Sequence, residues 1–230
     1  MYAEVETGNR IKIITGHFGS GKTEFSINYA LYLRQFFDKV AAVDLDIINT
    51  YFRIREQMDF LAEKGIESFS SNIPRGNSLD IPAIDPAILK PLQNEDYMAV
   101  LDVGGNPKGS LSLGRYREIL SKTGYDHYFV INRNRPETKD YKSVREFIGQ
   151  MEGHSQTKIT GIINTTHMLK NTSVDDILYG DELAREVSEK LNLPYVYAVC
   201  LRDIEKEVRS KDIGAEIFPI DLYFRKDWML

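Results

Sequence analysis

Gly16, Gly21, Lys22 and Thr23 stand at the spacing G-x-x-x-x-G-K-[ST], the pattern of a loop that cradles phosphate. Each residue type answers a chemical need. Gly16, Gly19 and Gly21 let the backbone curl close to anionic oxygens with no Cβ in the way. The N–H groups of His17, Phe18 and Ser20, and the opening turn of the next helix at Glu24, then face the anion. Lys22 reaches the β- and γ-phosphates, and the Thr23 hydroxyl is placed to ligate Mg²⁺. The context fits: the apolar run Ile11-Lys12-Ile13-Ile14 reads as a strand entering the loop, and a helical pattern leaves it.

Acidic residues stand where such a loop needs them. Asp102 ends an apolar run in Leu101-Asp102-Val103-Gly104-Gly105, so it can hold Mg²⁺ directly or through water, while Gly105 lets an N–H approach the γ-phosphate. Asp44 and Asp46 follow the second strand. Alternating side chains of extended backbone put both on one side, to serve Mg²⁺ and an attacking water, or to receive a substrate as in simple kinases. Guanine readers use Asn/Thr-Lys-x-Asp, whose aspartate pairs with the guanine donors. Neither Asn132-Arg133-Asn134-Arg135 nor Asn164-Thr165-Thr166-His167 has that aspartate, which favours ATP over GTP. His167 follows the Asn164 strand and is either near the nucleotide or a plain loop histidine. The four histidines show no metal-ligand spacing.

This chemistry needs a scaffold that gathers strand ends. Strand patterns fall at 11–14, 39–43, 97–103, 128–131, 159–163, 195–199 and 216–220. Helical patterns fall at 23–37, 56–64, 85–92, 111–122, 138–150, 175–191 (with a break near Gly180) and 204–210. Residues 68–86, with Pro74, Gly76, Pro82 and Pro86, read as the longest irregular stretch. Strand 97–103 is almost continuously apolar, as in a parallel sheet covered on both faces. The alternation predicts an α/β fold, a doubly wound and mostly parallel sheet in a three-layer arrangement, built as one nucleotide-binding domain over residues 1–230.

Composition narrows the rest. Apolar residues at 42% and charged residues at 27% suit a globular protein. A net charge of −5 gives no global attraction to nucleic acid or anionic lipid. No apolar run approaches the roughly 18 residues that span a bilayer, and residues 1–10 lack a signal-peptide core. The single cysteine, Cys200, forbids an internal disulfide and fits a reducing cytoplasm, the expected location.

Together, Gly16–Thr23, Val43-Asp44-Leu45-Asp46-Ile47, Leu101–Gly105, Gly161-Ile162-Ile163-Asn164 and Val199–Asp203 with Val208 resemble the MinD/ParA/CobQ-type branch of P-loop ATPases. That group, the SIMIBI class, includes signal-recognition proteins. The resemblance implies a P-loop NTPase fold using ATP and Mg²⁺. It implies that Asp46 positions the hydrolytic water, that Asn164 reads the adenine, and that the Cys200–Asp203 loop, with Arg202, wraps the base. MinD-like proteins carry a signature lysine just after the first loop glycine and donate it across a dimer. Here that position is His17. Arg133 and Arg135 are candidates for a substitute charge, and a homodimer or another protein partner is implied. A MinD-type membrane helix is not evident, and the tail 221–230, with Tyr223, Phe224, Trp228 and Leu230, is expected to pack on its own domain.

Three functions are open at this point. The first is an ATPase whose nucleotide state drives a partner or cargo. The second is an ATP-dependent small-molecule transferase or ligase, like the dethiobiotin-synthetase and cobyrinate-amidating relatives, which also lack the signature lysine. The third is a nucleotide-gated binding module with little turnover. All three require Lys22. A charge-assisted contact to phosphate is worth about 1.5–3 kcal/mol, so Lys22→Ala should weaken ATP binding roughly ten- to hundredfold by calorimetry while the fold survives.

Overall fold

The computed structural model describes residues 5, 8–46, 54–70 and 86–224. Its strands are β1 (Ile11–Gly16), β2 (Val40–Leu45), β3 (Ile66–Ser70), β4 (Met98–Val103), β5 (Asp126–Ile131), β6 (Gly161–Asn164), β7 (Tyr195–Leu201) and β8 (Glu216–Ile220). The helices are α1 (Lys22–Leu33), α2 (Met58–Glu63), α3 (Pro86–Gln93), α4 (Leu111–Gly114), α5 (Arg117–Thr123), α6 (Tyr141–Ser155), α7 (Val174–Leu191) and α8 (Glu205–Val208). The strands form one sheet in the order β3-β2-β4-β1-β5-β6-β7-β8, parallel at every pairing. β1 lies mid-sheet between β4 and β5. Its C-terminal end opens where crossovers leave in opposite directions, the crevice that open α/β sheets use for ligands.

Period-2 alternation feeds a core on each face. Ile14 packs on the α1 side with Phe25 and Tyr29, whereas Ile11 and Ile13 pack with Ile88, Leu92, Leu113 and Leu120 of α3, α4 and α5. Phe129 and Ile131 join Phe147 of α6 and Leu183 of α7. Aromatic rings fix α1 to the far edge of the sheet. Phe25 lies 5.3 Å from Tyr29 and from Phe218, and Tyr197 lies 5.2 Å from Phe218. That anchorage sets the start of α1, and with it Lys22 and Thr23, above the end of β1.

The expected alternation is present, with differences that have local causes. β3 was not expected: its five residues form an edge strand too short for a clear apolar run. The helix expected over 111–122 is two helices, α4 and α5. Gly114, the last residue of α4, lies against the end of α6, where a Cβ would be 3.3 Å from Ser155 O. α6 starts at Tyr141 because Asp140 caps it, accepting the Ser143 N–H at 2.8 Å. α7 runs unbroken through Gly180; this glycine is a packing requirement, since a Cβ there would collide with Asn164 Oδ1 and Thr166 Oγ1. Ile47, residues 71–85 of the expected irregular stretch, and Trp228 and Leu230 of the tail lie outside the described residues.

His127 of β5 is wholly buried, with Nε2 2.9 Å from Thr15 Oγ1 and Nδ1 3.1 Å from Thr157 Oγ1. Burial pushes its pKa down to about 3. The unfolded imidazole therefore takes up a proton first. This contribution to stability is complete above about pH 6.5 and is lost as pH falls toward 3. Between about pH 6.5 and about pH 5 it should remove about 1.5 kcal/mol. His127→Gln should flatten that slope, as read by urea unfolding at the two pH values.

Candidate nucleotide site

The loop between β1 and α1 turns through Gly19 at φ +70° and Gly21 at φ +86°, left-handed backbone that favours glycine. Neighbouring strands press on it closely. A Cβ on Gly105 would stand 2.9 Å from Phe18 N, and one on Gly16 would stand 2.8 Å from Val130 O. The Gly19 carbonyl accepts from Asn132 Nδ2 at 3.2 Å and Arg135 Nε at 3.0 Å. The Ser20 carbonyl accepts from Thr165 Oγ1. With carbonyls turned to the protein, backbone N–H groups are left for an anion on the concave side. Ser20 departs from this: its N–H is used inside the loop, on His17 O at 3.1 Å.

Lys22 and the acids meet below the loop. Lys22 Nζ lies 4.0 Å from Asp46 Oδ2 and 5.5 Å from the centre of the Phe18 ring. Asp44 and Asp102 face each other as register partners of β2 and β4. β2 ends at Leu45, so Asp46 leaves the strand. Its N–H donates to Asp44 Oδ1 at 3.0 Å, and its Oδ1 lies 3.2 Å from where a Cβ of Gly104 would be. The two acids of the pair are thereby separated, Asp44 toward Asp102 and Asp46 toward Lys22.

Burial pushes Asp102 up to about 7, against the pull of Lys22 and a hydrogen bond from Thr23, and with a further push from Asp44 and Asp46. Its Oδ1 has no hydrogen-bond partner among the described residues. Among those residues no group of three or more His, Cys, Asp or Glu gathers tightly enough to hold a metal alone. The Thr23 hydroxyl and Asp102, with Asp44 beside it, fit instead a hard cation that draws most of its oxygens from phosphate and water.

From Lys22 and Thr23 the crevice opens into an apolar chamber. Thr165, His167, Leu169 and Thr172 line it from the loop after β6, Val199, Cys200 and Leu201 from β7, and Ile220, Leu222 and Phe224 from the C-terminal side. α1 holds that last wall. Asn28 and Asp221 exchange two hydrogen bonds of 2.9 Å, and the Glu24 carboxylate accepts the N–H groups of Tyr223 and Phe224 at 3.0 Å.

Several of the expected contact residues have protein partners of their own. Glu24 lines the crevice, but its carboxylate is engaged by the C-terminal segment. Arg202 is turned onto Asp221 at 3.0 Å. Asn164 does not line the chamber: it is wholly buried, its Nδ2 donates to Ile177 O at 3.1 Å, and its Oδ1 accepts the Thr166 N–H at 2.9 Å. Both polar atoms of this amide thus have backbone partners. His17 sits against Phe147 and 3.3 Å from Glu137. His167 also comes near the loop. Its Nδ1 accepts the Leu169 N–H at 3.2 Å, which puts the proton of a neutral ring on Nε2. Nε2 lies 3.4 Å from where a Cβ of Gly21 would be. Thr165, Thr172 and Leu222 are lining residues that nothing in the sequence marks, while Phe224 of the tail packs on the domain as expected; the non-glycine φ of +58° at Leu169 is likewise visible only in the structure.

An all-parallel eight-stranded sheet flanked by helices, with this loop at its centre, is a P-loop NTPase-like fold. Solved structures share it. FtsY from Mycoplasma mycoides matches with a TM-score of 0.52 and 18% identity, covering 80% of this chain and 57% of that one. FtsY from Thermotoga maritima matches with a TM-score of 0.52 and 17% identity, covering 80% and 59%. The signal recognition particle 54 kDa protein from Aeropyrum pernix, solved in complex with GDP, matches with a TM-score of 0.50 and 17% identity, covering 80% and 40%. The chain thus spans less than two thirds of the length of these proteins, and identities this low establish the fold alone. No family model matches the chain, and no curated protein matches it. Among the described residues no helix is long and apolar enough to cross a membrane.

Because Asn164 is satisfied internally, Asn164→Ala should act on stability and not on base choice. Stranding the Thr166 N–H and Ile177 O costs about 1–3 kcal/mol. Urea unfolding should show that loss, while the ratio of ATP to GTP affinity stays within about twofold of the parent.

Proposed function

We propose that this chain is a Mg²⁺-dependent ATP-binding protein of the MinD/ParA/CobQ-type branch that hydrolyses ATP and uses its nucleotide state to act on a partner or cargo. The observation that carries this reading is the convergence of buried Lys22, Asp44, Asp46 and Asp102 on one glycine loop at the end of β1. Lys22 neutralises charge that develops between the β- and γ-phosphates. Asp46, set apart from Asp44 and beside Lys22, orients the attacking water. Thr23 and Asp102, with Asp44 as the register partner of Asp102, would hold Mg²⁺, which when bound would add positive charge at the phosphate oxygens.

Adenine is favoured over guanine on chemical grounds. The carboxylate that lines the crevice is Glu24, and its oxygens already accept Tyr223 and Phe224 N–H groups. Among the described residues no other that lines it is acidic, so the guanine N1 and N2 donors find no further anionic acceptor among them. Base selectivity is where this chain is proposed to differ from the GDP-bound Aeropyrum pernix protein.

The two acids separate the reading from its rivals. Asp46→Asn should keep Mg·ATP affinity within about threefold and slow single-turnover hydrolysis by about a hundredfold or more, since its role lies in the transition state. Asp102→Asn should weaken Mg²⁺-dependent binding itself. Equal affinity losses in both variants would place Asp46 at the metal. A wild-type chain that binds ATP without releasing phosphate would leave only a nucleotide-gated module.

A further inference from the structure

Lys22 shares the crevice with a second cation, Arg135. Its Nε donates to Gly19 O at 3.0 Å, and its Nη2 lies 2.7 Å from where a Cβ of Gly19 would stand. Nη1 and Nη2 donate to no protein acceptor among the described residues. A closed turn presents the side chain. Arg135 N–H donates to Asn132 O at 3.0 Å, Asn134 N–H to Asn132 Oδ1 at 3.0 Å, and Thr138 Oγ1 to Asn132 O at 2.7 Å.

The neighbouring basic side chains are committed elsewhere. Arg133 donates to Tyr179 O at 2.6 Å and Glu182 Oε2 at 2.9 Å, and its guanidinium stacks 3.9 Å from the Tyr179 ring centre. His17 has Nδ1 2.9 Å from Phe18 O and 3.3 Å from Glu137. Part of the Lys22 charge is offset by Asp46 at 4.0 Å.

We infer that Arg135 contacts the terminal phosphate of a bound nucleoside triphosphate in cis, so that one chain supplies both cations of its phosphate site. The inference rests on the nucleotide-binding reading above. Loop N–H groups face the phosphates from the concave side, where Lys22 reaches between the β- and γ-phosphates. Arg135 rests on the loop's outward carbonyl at Gly19, and its two terminal nitrogens match two phosphate oxygens in fork geometry. In hydrolysis water adds to the γ-phosphorus and the bond to the β–γ bridging oxygen breaks. ADP keeps that oxygen, and the water proton leaves through Asp46 to the released phosphate. Arg135 stabilises the charge that gathers along this path.

The test titrates wild type, Arg135→Ala, Arg135→Lys and, as control, Arg133→Ala with Mg·ADP and with the non-hydrolysable β,γ-imido analogue of ATP. Phosphate release per chain is followed against protein concentration. Arg135→Ala should lose about tenfold in analogue affinity while ADP affinity stays within about twofold. Arg135→Lys should fall between, Arg133→Ala should match wild type, and specific activity should not rise with concentration. An unchanged analogue-to-ADP ratio in Arg135→Ala overturns the inference and leaves nucleotide binding standing. An equal loss for both ligands with a lower Tm also overturns it, reducing Arg135 to a clamp on the loop. Recovery of activity on mixing Arg135→Ala with Lys22→Ala overturns the cis arrangement in favour of a dimer. A wild-type chain that binds neither ligand removes the nucleotide reading and the inference together.

Discussion

A loop that turns its N–H groups toward an anion must find partners for its carbonyls elsewhere, and much of this structure answers that constraint. A buried polar group without a partner costs about 1–3 kcal/mol. Asn132 and Arg135 serve Gly19 O, and Thr165 serves Ser20 O. These donors come from the ends of β5 and β6, while β4 brings Gly105 against the loop backbone. Only a central β1 with β4 and β5 on its two sides lets all of them reach the same short turn. The strand order is thus also the support of the loop.

The second constraint is charge. Three buried aspartates, Asp44, Asp46 and Asp102, stand near one buried lysine. Desolvation penalises every ionised group in such a place. Asp44 spends one oxygen on the Asp46 N–H, Asp46 lies beside Lys22, and Asp102 carries the remaining strain as a pKa lifted to about 7. The arrangement holds more carboxylates than cationic side chains, the electrostatics that favour a bound cation.

α1 joins the two halves of the site. Its first turn carries Lys22 and Thr23 at the phosphate end and Glu24 at the C-terminal wall; one turn on, Asn28 holds Asp221. The rings of Phe25 and Tyr29 fasten the same helix to Tyr197 and Phe218. A shift of α1 would therefore move the phosphate contacts and the wall formed by Leu222 and Phe224 together. The C-terminal segment also reaches α2, through Gln57 Nε2 donating to Tyr223 O at 3.1 Å and Phe60 packing 4.9 Å from the Tyr223 ring.

The sequence by itself determined what depends on short-range backbone geometry. The glycines of the loop, the strand before it, the helix after it, and acids at the ends of β2 and β4 are all legible because each follows from residue types within a few positions. Only the tertiary structure decided where side chains past those strand ends point. Asn164, which the resemblance offers as a base reader, has Ile177 and Gly180 of α7 packed against its amide. Glu24 looks like a phosphate-side residue until the chain returns some 200 positions later with Phe224. Arg133 and Arg135 are the same residue type two positions apart. One is drawn to Tyr179 and Glu182, 46 and 49 positions away, and the other to Gly19, 116 positions away. Such long-range partners leave no trace in local pattern, because a polar side chain takes its direction from whichever donor or acceptor the fold brings within reach.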